Sequence, residues 1–108
     1  MARDMAPEAE AATVSNSETV RERWIAELRR QGTRQCTDLF VCGGQVCALG
    51  LLREVSSLDE LDDVVTIGAL AGLDDDQAWD ITYRNDGDAG HYKHTFAEIA
   101  DVVEGWFK

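Results

Sequence analysis

Two apolar stripes at helical spacing, one near each end of the chain, are its strongest constraint. Val20, Trp24 and Leu28 recur every four residues with Ile25 beside them, and Phe96, Ile99, Val103 and Trp106 repeat at the same period. Such stripes bury one face of a helix. Both carry start signals. Ser17 is a good N-cap with Glu18 in the first turn, and Thr95-Phe96-Ala97-Glu98 is the clearest capping box in the sequence. Arg29 and Arg30 suit a last turn, with Gly32 just beyond. The spacing predicts helices over about 18–31 and 96–107.

The middle is more mixed. Residues 35–42 read as a strand ending at Gly43-Gly44, a two-glycine turn signal. Gln45 to Val55 reads as a returning strand that passes into a helix. Ser57-Leu58-Asp59-Glu60 matches a capping box, which predicts a short helix from 58. Thr66 is a candidate cap for a short turn through Leu70, closed by Gly72. Asp74 to Gln77 is a further start signal, for a helix through about Arg84 with Trp79 and Tyr83 on one face. Asn85 to Gly90 has loop chemistry. Residues 1–15 lack large apolar side chains apart from two Met and one Val, and read as a disordered arm.

The expected architecture is therefore a mostly helical α+β domain over 16–108. A short β-hairpin near 34–48 would pack on the first and last helices. Trp24, Phe40, Leu49, Leu52, Ile67, Leu70, Trp79, Ile99, Val103 and Trp106 are the expected core.

Charge narrows the function classes. The net charge is −11, and residues 35–108 carry all of it, because six acids and six bases cancel over 1–34. That argues against a direct nucleic-acid binder, which needs a basic face. No run of 18 apolar residues exists, so no membrane span is expected, and no basic segment leading into an apolar stretch marks a secretory signal. Three cysteines cannot all pair, so a reducing, cytoplasmic setting is the default expectation.

The order of motifs resembles a family of small tailed-phage and prophage proteins with no assigned activity. The resemblance rests on Trp24, Gln35, Cys47-Ala48-Leu49-Gly50-Leu51-Leu52, Leu70-Ala71-Gly72-Leu73, Asn85-Asp86 and Phe96-Ala97-Glu98-Ile99-Ala100-Asp101-Val102-Val103-Glu104. It covers roughly 20–105. Val46-Cys47 stands where that segment often has a doubled cysteine, and the loop after Asn85-Asp86 runs longer, to His94. The resemblance implies a phage or prophage origin and a single α+β domain, and it carries over no catalytic residue.

Several chemistries can be weighed from spacing. Cys36, Cys42 and Cys47 with His91 and His94 are a candidate metal set, but no Cys-x-x-Cys pair is present and the five lie in two distant segments. Cys47 is a candidate nucleophile at a helix start, with His91 or His94 as base and Asp86 or Asp88 as orienter; nothing local fixes that geometry. Gly43-Gly44 lacks the pattern of a phosphate-binding loop, and the acidic clusters lack the calcium-loop spacing.

The remaining feature is acidity itself. Asp59, Glu60, Asp62 and Asp63 form one group, and Asp74, Asp75 and Asp76 a second. Glu98, Asp101 and Glu104 recur every three residues opposite the last apolar stripe. A broad negative face steers toward basic partners. The sequence thus points to a non-enzymatic, cofactor-free interaction protein that modulates a basic, nucleic-acid-handling or defence protein of the host. Two alternatives stay open: a small Cys/His metal-binding domain, and an accessory subunit whose acidity only keeps it in solution.

Overall fold

A computed structural model describes residues 5–36, 41–58 and 60–107, with side chains from Ser17 onward except at 41–42. The first helix, α1, spans Met5–Arg30. It takes in most of the segment read as an arm. Ala and Glu dominate residues 8–12, nothing after Pro7 breaks a helix, and Pro7 lies in the first turn, where its missing N–H costs nothing. Ser17 is therefore an interior residue rather than a cap. A 3-10 turn over Gly32–Arg34 follows.

The β-structure is minimal. Strands β1 (Val41–Cys42) and β2 (Gln45–Val46) pair antiparallel as Val41 with Val46 and Cys42 with Gln45, and Gln35 adds one parallel bridge to Val46. This falls short of the hairpin or sheet expected over 34–48. Its main described neighbour is α2 (Ala48–Val55), while α1 and α5 (Phe96–Trp106) pack chiefly on each other.

Five α-helices are described, the remaining two being α3 (Val64–Ala69) and α4 (Asp75–Asp86), and the five form one mostly helical domain. Helix α1 packs on α2 and α5, α3 packs on α4, and α2 joins the two groups. One buried cluster runs through them and includes Trp24, Leu28, Leu49, Leu52, Ile67, Ile81, Phe96, Ile99 and Val103. Leu70 and Trp106 pack against its edge. Phe40 lies outside the described residues.

Trp79 departs from the expected core and is 42% exposed. Helix α4 turns Ala78, Ile81 and Asn85 inward instead. The reason is the approach of α3: a Cβ added at Gly68 would lie 2.6 Å from the Ala78 Cβ. A crossing that close admits only small side chains, so the indole sits on the outside.

The start signals sort cleanly. Asp74 and Gln77 form a capping box on α4, and Thr95 and Glu98 form another on α5. The Ser57–Glu60 signal does not start a helix. Ser57 instead ends α2 in the left-handed region at φ 58°, and the amides of Ser57 and Leu58 bond back to Glu54 and Arg53. Helix α3 starts later, with Asp63 rather than Thr66 as its cap. No described helix is long and apolar enough to cross a membrane.

Candidate functional site

Gln35, Ala48 and Asn85 meet at one buried point. The Asn85 amide is 1% exposed and fills all four of its hydrogen-bonding positions. Its Oδ1 accepts from Gln35 Nε2 (2.9 Å) and from the Ala48 amide (3.1 Å). Its Nδ2 donates to the Cys36 carbonyl and to Asp86 Oδ1, both at 2.9 Å. Gln35 Nε2 also donates to the His94 carbonyl (2.7 Å), and Trp24 Nε1 donates to the Ala48 carbonyl (2.8 Å). The first turn of α2 is thus held from α1 on one side and α4 on the other. No described buried side-chain polar atom lacks a partner, and the Asn85 amide itself has no hydrogen-bonding capacity left for a ligand.

The histidines stand beside it. His94 Nδ1 lies 2.8 Å from the Tyr92 carbonyl, which makes that nitrogen the donor, and Nε2 accepts from Arg84 Nη1 at 3.2 Å. His91 Nε2 is 3.1 Å from Asp80, which also holds Arg84 at 3.0 Å. Cys36 is disulfide-bonded, which removes it from any ligand set. The side chain of Cys42 lies outside the described residues. Cys47 is a free thiol that caps α2, with Sγ accepting from the Gly50 amide at 3.3 Å. Burial pushes its pKa up despite that bond, so it stays protonated near neutrality. Among the described residues, no three His, Cys, Asp or Glu side chains gather as a metal site.

A groove of ≈ 490 Å³ opens between α1 and the ends of α2 and α3. Its lining offers the hydroxyls of Ser17, Ser56 and Ser57 and the Arg23 guanidinium among apolar side chains, with no histidine, cysteine or carboxylate. It assembles neither a general base nor an activated nucleophile.

The acidic residues separate into two populations. Those of the last helix have partners on the protein. Asp101 and Glu104 share Arg29 Nη2 at 2.7 and 3.1 Å, which ties α5 to α1. Glu98 accepts from the Thr95 amide at 2.8 Å and from the Tyr92 hydroxyl at 3.2 Å. The Thr95 amide is the main cause of its lowered pKa.

The described ones at 60–63 and 74–76 have no cationic partner among the described residues, unlike Asp80 farther along α4, which holds Arg84. Glu60 and Asp62 are exposed in the turn before α3. Asp63 caps α3, accepting from the Thr66 amide and hydroxyl at 2.8 Å each; the amide bond chiefly lowers its pKa. The Asp74 carboxylate accepts from the Gln77 amide (2.8 Å). Asp75 and Asp76 stand exposed in the first turn of α4. Asp59 lies outside the described residues. The nine described acids therefore differ in partners, and those without a described cation lie before α3 and at the start of α4. Sequence spacing could not reveal this, because Arg29 is more than 70 residues from its partners.

No protein-family model, curated protein or solved structure matches the chain.

Proposed function

We propose that this is a non-catalytic, acidic interaction protein of phage type that binds and modulates a basic host protein. The observation that carries the reading is the set of carboxylates at Glu60, Asp62, Asp63 and Asp74–Asp76 that have no cationic partner among the described residues. Elsewhere the protein neutralises acids in place, as Arg29 does for Asp101 and Glu104. Carboxylates left open to solvent steer toward a cationic surface and speed association. Basic partners of this kind include proteins whose grooves hold nucleic acid, since those surfaces are built for phosphate. The tailed-phage resemblance supports the same reading.

The protein would act in the cytoplasm of the host cell, where such partners work. The Cys36 disulfide makes its redox state there a direct check. A disulfide at Cys36 is the form expected outside a reducing compartment, so the assignment requires that bond to be open in the host: acid-quenched alkylation should find Cys36 as a thiol there, and a fully blocked Cys36 would overturn the cytoplasmic assignment.

Affinity capture from host lysate tests the function. One basic protein should be retained at low salt, released as salt rises, and lost when Asp74–Asp76 are reversed to lysine. A soluble, folded bait that captures nothing would leave the acidity as a solubilising surface.

A further inference from the structure

We propose that the Trp79–Tyr83 pair on α4 is the contact point for an arginine of the basic partner; this rests on the interaction reading above. The two rings stack on each other at a centroid distance of 6.0 Å and an interplanar angle of 26°. They are 42% and 36% exposed. The other described exposed aromatics, Phe107 (38%) and Tyr92 (66%), are each engaged with a polar or charged group of this chain. Phe107 lies under the Arg21 guanidinium, 3.7 Å from its ring centroid. Tyr92 stacks on His94 at 4.2 Å and donates its hydroxyl to Glu98. Among the described residues, no cation lies over the Trp79 or Tyr83 ring, and their described ring contact is with each other.

The surroundings say what would cover them. Asp75 and Asp76 lie one turn before Trp79, and Tyr83 one turn after it, so carboxylates and rings share the outer side of α4. Helical side chains lean toward the N-terminus, which brings the indole over the turn holding Asp75 and Asp76. Three aspartates outweigh the roughly half unit of positive charge at the helix start. A ring beside unpaired carboxylates fits a planar cation. Guanidinium stacks its face on the ring and bonds its edge to carboxylate, whereas lysine supplies only a hydrated point charge. Arg21 on Phe107 is the same chemistry inside the fold. Aromatic side chains of this kind anchor interfaces.

The test is binding of fluorescein-labelled octa-arginine and octa-lysine, read by anisotropy at several salt concentrations. Octa-arginine should bind about fivefold tighter than octa-lysine at equal charge. A Trp79→Leu/Tyr83→Leu variant keeps apolar area and helix propensity but loses the π faces. It should erase the difference while leaving octa-lysine affinity within about twofold. An Asp75→Asn/Asp76→Asn variant should weaken both peptides. Equal binding of the two peptides to the wild type, or an arginine preference that survives the leucine variant, would overturn this inference while leaving the acidic reading intact. Failure of both peptides to bind at low salt would overturn both readings. Unchanged circular dichroism in each variant establishes that its fold is kept.

Discussion

Replacing Asn85 with alanine tests the account of the hub. Four hydrogen bonds disappear together, but they are unequal. Gln35 keeps its bond to the His94 carbonyl, and Asp86 is partly exposed and can be hydrated. The Ala48 amide and the Cys36 carbonyl lose the side-chain partner that the buried amide supplies. An unsatisfied buried backbone group costs about 1–3 kcal/mol, so the pair sums to about 3 kcal/mol after some water entry. For a domain of this size that is a large share of a stability of about 5–15 kcal/mol. With a urea slope of about 1–3 kcal/mol/M, the midpoint should fall by about 1–3 M at unchanged slope, followed by circular dichroism. Asn85→Asp sharpens the test. It keeps the shape but sets an oxygen against the Cys36 carbonyl and Asp86, so at neutral pH it should cost at least as much as alanine. Its deficit should shrink in acid, because protonation returns one donor. A midpoint shift below about 0.5 M for Asn85→Ala would refute the claim that this amide holds α2 in place.

Three further outcomes follow from the geometry. Gly68→Ala should destabilise by about 1–3 kcal/mol, because the new methyl meets Ala78 across the α3–α4 crossing; a neutral change in thermal melting would show the helices can part freely. Ser57→Gly should stabilise by about 1 kcal/mol by relieving the left-handed backbone at φ 58°, seen as a higher melting temperature. Asp63 and Glu98 have lowered pKa values in the folded state, so their contribution is complete above the ordinary carboxylate range and is lost as pH falls through their folded pKa values. Acid unfolding followed by circular dichroism should therefore be shallower in Asp63→Asn and Glu98→Gln variants, and an unchanged acid limb would contradict the assignment.

The helix starts that reciprocal caps define were readable, because a capping box is local: Asp74 with Gln77 and Thr95 with Glu98 need only three intervening positions. The first helix was readable at its C-terminal end and not at its start, since Ser17 looks like a cap whether or not helix formers precede it. Ser57 misled for a related reason. A serine before an acidic run signals a start, yet here it closes α2 in a conformation that usually selects glycine. Trp79 carried the right period but the wrong side. Which face of α4 is buried depends on a glycine in another helix, and periodicity does not record that.

The candidate site was legible only as composition. The acidic groups could be counted, but their division into paired and unpaired sets depends on where α1 lies against α5. Gln35, Ala48 and Asn85 stood out as motif positions, and their meeting around one amide is a tertiary fact. The Cys36 disulfide was likewise beyond a count of three cysteines.

The central claim is that the unpaired carboxylates beside α4, rather than acidity in general, bind the basic partner. The most direct measurement is the salt dependence of partner affinity in two variants of equal charge change, Asp75→Asn/Asp76→Asn and Asp101→Asn/Glu104→Gln. The account predicts weaker binding and a flatter salt dependence in the first, with the second close to wild type. Equal losses in both variants would contradict it and return the acidity to a property of the whole surface.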